Sequence, residues 1–182
     1  MIWIRTTLLV SVLIFTSCDI GEIPTASLDN PVDLESAVEQ GIETPALVFF
    51  PNAVSTTLGG SVAFKLIVLE VNNLIGASIQ LKYDPASLDL STINVGGLFQ
   101  GTNAPIFLVE NDVDNGILHI NTFYLGPDSL SVSGTGDLAM VVFDTKLPGQ
   151  SLLQYMSESE LADPDSNPIE IKGFGEGVID AQ

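Results

Sequence analysis

Ala77-Ser78-Ile79-Gln80-Leu81-Lys82-Tyr83-Asp84-Pro85 is the stretch that decides the fold. Ala77, Ile79, Leu81 and Tyr83 alternate with Ser78, Gln80 and Lys82. A period of two is that of a strand, because successive side chains leave its opposite faces. One face is apolar and the other polar, so the strand is half-buried. Tyr83 shares the parity of Ile79 and Leu81 and is expected to pack inward. Gly76, Ser78, Gln80 and Lys82 then lie on the opposite face. Asp84-Pro85 ends the strand, since proline lacks the N–H that a ladder requires.

The pattern repeats on both sides. Ala46 to Phe50, Ser61 to Val71, Pro105 to Glu110, Ile117 to Tyr124, Asp137 to Leu147, Ser151 to Met156 and Ile169 to Asp180 are apolar or alternating runs separated by Gly, Pro, Asn and Asp. Asn72-Asn73 is expected to turn the chain, and Asn111 to Gly116 to close a hairpin through Asn-Gly. No long helical period and no internal repeat is present. Roughly nine strands in about 135 residues imply an all-β, two-sheet sandwich.

The chain before Ala46 reads differently. Arg5 is the one charge in a start whose Thr6 to Phe15 is almost unbrokenly apolar, followed by Thr16-Ser17-Cys18. A basic start, a short apolar core and small residues describe an export signal, and the run is too short to span a membrane comfortably. Phe15-Thr16-Ser17-Cys18 resembles the lipobox of a bacterial lipoprotein, which implies lipidation of Cys18 after removal of residues 1–17. Residues 18–45 carry seven acids, three prolines, no basic residue and no aromatic residue. That composition describes a flexible tether, with a short helix from Asp33 to Gln40 whose apolar residues would be Val32, Leu34 and Val38. The sandwich is assigned to residues 46–182. A lipid-anchored place in the cell envelope follows, at the outer membrane or cell surface rather than the inner membrane.

Charge and composition narrow the function. The chain has a formal net charge of −18. Beyond Cys18, four lysines stand against 23 acids, a net of −19. Such a surface repels nucleic-acid phosphates. Cys18 is the only cysteine, so no internal disulfide is available. The only histidine is His119, in mid-strand, and no arginine follows Arg5. No credible nucleophile–base pair results, so no catalytic residue is assigned. Among 23 acids, chance carboxylate pairs are expected and carry no glycosidase signal. Asp163-x-Asp165-x-Asn167 begins like a calcium loop, but Pro168 and Phe174 occupy the positions that require Gly and a bidentate Glu. Asp112, Asp114 and Asn115 read as turn-formers. No metal and no cofactor is therefore assigned.

Three segments together resemble the cohesin domain of cellulosome scaffold proteins. They are Asn73 to Leu90, whose strand ends in Tyr83-Asp84-Pro85; Gly136-Asp137-Leu138-Ala139-Met140-Val141-Val142-Phe143; and Asp163-Pro164-Asp165-Ser166-Asn167-Pro168-Ile169. The resemblance spans about Ala46 to Ala181. It implies a nine-stranded jelly-roll β-sandwich, of a kind shared with carbohydrate-binding modules. It also implies a non-catalytic module that binds a dockerin-like protein through one sheet face, the face to which the Gly76–Lys82 strand belongs.

The candidate partner-binding residues are accordingly Gly76, Ser78, Gln80 and Lys82, joined by His119, Asn121 and Phe123 from the hairpin. The plainer reading makes these merely solvated sheet positions. The family often has Asn or Asp near the start of this strand, where this chain has Gly76 and Ser78, so no known dockerin specificity carries over. The alternative function is a carbohydrate-binding or surface-adhesion domain acting on a polysaccharide. Sugar platforms need exposed aromatic faces, and the sole tryptophan is Trp3, inside the signal.

The anchor is directly testable. Wild-type protein should carry an acyl mass on an N-terminal Cys18, and Cys18→Ser should be unprocessed at this site and unlipidated. Mass spectrometry of the membrane fraction that finds Cys18 unacylated contradicts the lipobox reading.

Overall fold

The computed structural model describes residues 34–99, 105–124 and 131–182. They form one short helix, α1 (Leu34–Glu39), and a run of strands: β1 (Ala46–Phe50), β2 (Ala53–Thr56), β3 (Ser61–Leu74), β4 (Gly76–Lys82), β5 (Leu88–Val95), β6 (Ile106–Asp112), β7 (Ile117–Phe123), β8 (Val132–Thr145), β9 (Gly149–Tyr155), β10 (Glu160–Ala162), β11 (Pro168–Ile169), β12 (Gly173–Phe174) and β13 (Glu176–Ala181). Nine of these have five residues or more; β2, β10, β11 and β12 are short additions along their edges. The sandwich expected from the sequence is the fold observed.

One sheet runs β12-β1-β3-β8-β5. In the other, β4 pairs with β7 along its whole length, and β7 with β6. The other edge of β4 is shared: β10 takes Gly76 to Ser78, and β9 takes Leu81 and Lys82. From β9 the sheet continues to β13 and β2. The inner faces meet over Phe49, Phe64, Leu66, Ile79, Leu81, Leu118, Ile120, Val141, Phe143 and Leu153, all fully buried. Burying each such side chain contributes about 1.5–3 kcal/mol.

Three tyrosines close the core with their hydroxyls satisfied. Tyr83 packs on Phe143 and donates to Asn111 Oδ1 at 2.8 Å. Tyr124 donates to the Phe99 carbonyl at 2.6 Å. Tyr155 stacks on Phe49 and donates to the Val48 carbonyl at 2.8 Å, and burial pushes its phenol well above the ordinary range.

Residues 34–45, assigned to the tether, instead dock on the outer face of the first sheet. Ala37 and Ile42 pack there with Ala46, Val48, Ile67 and Leu69. The helix forms, but not on the expected face. Ser36 and Ala37 are buried, whereas Val38 is 73% exposed and Leu34 half-exposed. Small side chains let the helix approach the sheet closely. Its end closes with Gly41 N–H to the Val38 carbonyl at 3.0 Å and Ile42 N–H to the Ala37 carbonyl at 2.8 Å, a Schellman pair. Asp33, the expected cap, and Cys18 lie outside the described residues.

Asn72-Asn73 does not end a strand as expected. It lies within the bulged end of β3, where Asn73 has φ 57° and donates its N–H to Ser133 Oγ. The last expected strand, Ile169 to Asp180, is instead three pieces, β11, β12 and β13, broken where Gly173 and Gly175 let the chain cross between sheets.

The two faces of β4 should respond oppositely to substitution. Leu81→Asp buries an unpaired charge in the core and should abolish the cooperative urea transition. Lys82→Ala should stay within about 0.5 kcal/mol of wild type, as for other exposed positions. Equal effects contradict the assigned parity.

Candidate functional site

Register assembles the outward face of the second sheet. Across β4 and β7, Gly76 stands opposite Phe123, Ser78 opposite Asn121, Gln80 opposite His119, and Lys82 opposite Ile117. Every outward residue of β7 is half-buried and every inward one buried, which is the alternation read from the sequence. Ser78 and Gln80 are half-buried and Lys82 exposed. The structure therefore gathers Ser78, Gln80, Lys82, His119, Asn121 and Phe123 on one continuous surface.

Gly76 belongs to this cluster in a different way. It is buried beneath Phe123, and a Cβ added there would meet the Phe123 Cβ at 2.9 Å. The glycine is what lets β4 and β7 approach closely at Phe123. It is a seat for Phe123 rather than a contact of its own.

The strand β6, expected from Pro105 to Glu110, completes the face on one side, and its residues are absent from the candidate set read from the sequence. Ile106, Leu108, Glu110 and Asp112 stand in register with Phe123, Asn121, His119 and Ile117. Leu108 is 57% exposed, the most open large apolar side chain on this surface. The signal was available: an Asn-Gly hairpin fixes its register, so the outward set of β7 selects that of β6. On the other side β9 brings Gln154 opposite Lys82, and β10 brings Glu160 opposite Ser78.

Where β9 leaves β4 and β10 joins it, the backbone of Gln80 would lack partners. Ser159 Oγ accepts its N–H at 3.1 Å and donates to its carbonyl at 3.3 Å, and the Met156 N–H reaches the same carbonyl at 2.8 Å. These contacts tie the turn after β9 to the middle of β4.

The hairpin turn is fixed too. Gly116 has φ +61°, and a Cβ there would meet the Tyr83 carbonyl at 2.4 Å, so the turn requires glycine. Asp112 accepts from Asn115 through both backbone and side chain, bonds that hold its carboxyl below the ordinary 3.8. Lys82 Nζ donates to the Asn115 carbonyl. The centre of the face is thus neutral and polar, with acids at both margins: Glu110 and Asp112 on β6, Glu160 on β10 and Glu176 on β13.

No cluster of metal-ligating side chains is present among the described residues. The carboxylate of Asp163 is engaged by its own loop, accepting from the N–H groups of Asp165 and Asn167 and from Asn167 Nδ2.

Solved structures similar to this chain include cohesins. A non-cellulosomal cohesin from the hyperthermophilic archaeon Archaeoglobus fulgidus matches at a TM-score of 0.62, with 16% identity over 75% of this chain and 90% of that one. A type II cohesin domain from the cellulosome of Acetivibrio cellulolyticus matches at 0.63, with 19% identity over 74% and 92%. A type I cohesin–dockerin complex from Clostridium thermocellum matches at 0.61, with 15% identity over 75% and 98%. At these identities the likeness shows the fold: the chain has a cohesin fold. No protein-family model matches the chain, and no curated protein does.

The turns that frame the face should be acid-sensitive. Hydrogen bonds from Ser87, Asn115 and Asn167, respectively, hold Asp84, Asp112 and Asp163 below 3.8. A depressed carboxyl contributes stability that is present above its unfolded value and lost as pH falls through its folded one. The melting temperature should therefore decline below about pH 4. Asp163→Asn should start lower at neutral pH and decline less. An acid limb in Asp163→Asn as steep as that of wild type contradicts this assignment.

Proposed function

We propose that this protein is a non-catalytic recognition module that docks a dockerin-like protein on the outward face of β4, β6 and β7. The observation that carries the proposal is the register. It places Ser78, Gln80, Lys82, His119, Asn121 and Phe123 on one surface, with Leu108 beside them. That surface is a regular sheet with a neutral centre and apolar side chains at Phe123 and Leu108, a composition that suits a protein partner. The same fold occurs in the Clostridium thermocellum cohesin that was solved with a dockerin.

Lipidation at Cys18 would hold the module to the cell envelope, facing outward at the outer membrane or cell surface. The unusually acidic surface would keep it soluble there and would favour partners with basic margins. A role beside polysaccharide degradation follows from the cohesin resemblance. His119 takes part as a surface residue between Gln80 and Glu110, without a nucleophile to activate.

Immobilised wild-type protein should capture a discrete exported protein from the parent organism. Phe123→Ala should weaken that capture at least about 30-fold, the loss of an anchor worth about 2 kcal/mol, with an unchanged melting temperature. Undiminished capture by Phe123→Ala rules out this face. Hydrolysis of a polysaccharide or ester that His119→Ala abolishes rules out the non-catalytic reading.

A further inference from the structure

We infer that a groove at the corner of the sandwich beside Phe174 is a binding subsite for a neutral saccharide, adjoining the protein-docking face and sharing Lys82 with it. The groove encloses about 440 Å³ and lies between the end of β9, the turn that follows it, and the crossing from β12 to β13. That volume is within the range of small-ligand sites, about 300–1,000 Å³.

Its platform is Phe174, which is 40% exposed. The ring is not a loose surface side chain. It leans on Tyr155, with centroids 6.2 Å apart and planes 30° apart, and Tyr155 in turn stacks on the core residue Phe49 at 4.5 Å. The Tyr155 hydroxyl is tied to the Val48 carbonyl. Phe174 is therefore the outer member of a three-ring column rooted in the core. Gly173 sets its approach: β12 pairs with β1, and a Cβ at Gly173 would meet the Glu43 carbonyl at 2.7 Å.

Around the ring stand groups that suit hydroxyls. Gln154 Nε2 donates to Glu176 Oε1 at 2.6 Å, which fixes both side chains on one wall. Glu158 and Lys82 complete the lining. A pyranose presents an apolar C–H face to an aromatic ring and a rim of hydroxyls that both donate and accept. An aromatic plate bordered by an amide, carboxylates and an ammonium matches that pattern. The net charge of −18 disfavours an anionic polymer. Glu176 already accepts from Gln154, and Lys82 adds a positive charge to the lining, so the groove is not a bare acidic pocket for a cationic peptide side chain. A neutral saccharide remains.

Calorimetric titration of the protein tests this with four probes: pentasaccharides of β-1,4-linked glucose and of β-1,4-linked xylose, a galacturonic acid pentasaccharide, and pentalysine. At least one neutral pentasaccharide should bind. Phe174→Ala should weaken it about tenfold or more, Phe174→Trp should bind at least as well as wild type, and Phe123→Ala should bind unchanged. Melting temperatures confirm that each variant is folded. The inference is overturned if neither neutral sugar binds at millimolar concentration, if Phe174→Trp loses binding, if folded Phe174→Ala binds like wild type, or if pentalysine alone shows the dependence on Phe174. Protein capture that survives Phe174→Ala and fails in Phe123→Ala separates this subsite from the docking face.

Discussion

The position of β4 is the constraint on which the rest of the structure depends. One of its edges is filled by β7, and the other is divided between β10 and β9. With both edges committed, its two faces can differ only by alternation. Ile79 and Leu81 enter the core, and Ser78, Gln80 and Lys82 leave it. A slip of one residue would exchange the two sets and place Gln80 and Lys82 against Leu118 and Ile120. Core and candidate surface are thus set by one register, and substitutions on either side of the strand report on the same arrangement.

Where a strand has one face in the core and one in solvent, the sequence is easy to read. The outward sets of β4 and β7 were legible for this reason, as was the inward turn of Tyr83. Where both faces are covered, alternation vanishes. Leu66 to Leu69 are all buried because α1 covers the outer side of β3. The sequence offers that helix but not its docking, because its composition is acidic and it packs through Ser36 and Ala37 rather than through the larger Leu34 and Val38. Strand β5 escaped notice because Asp89, Ser91, Thr92 and Asn94 make its outer positions polar, and only its pairing with β8 defines it. Phe174 was read as a failed calcium-loop position. Local sequence does not reveal that Gly173 and Gly175 carry the chain around a corner, or that Tyr155, 19 positions earlier, supports its ring.

Charge links the two surfaces. The domain is acidic overall, yet the middle of the β4–β7 face holds only Ser78, Gln80, Asn121 and His119, with carboxylates at the margins. Repulsion at the rim selects against anionic partners, and the uncharged centre avoids the desolvation cost of burying ions. Lys82 and Gln154 lie at the border between this face and the Phe174 groove.

Site-specific photocrosslinking tests the central claim most directly. A photoreactive phenylalanine is placed either at Gln80, in the middle of the candidate face, or at Lys65, exposed on the outer side of the opposite sheet. The two proteins are irradiated in the presence of exported proteins from the parent organism. The account predicts one discrete covalent adduct from position 80 and none from position 65. The same adduct from position 65, with none from position 80, contradicts it.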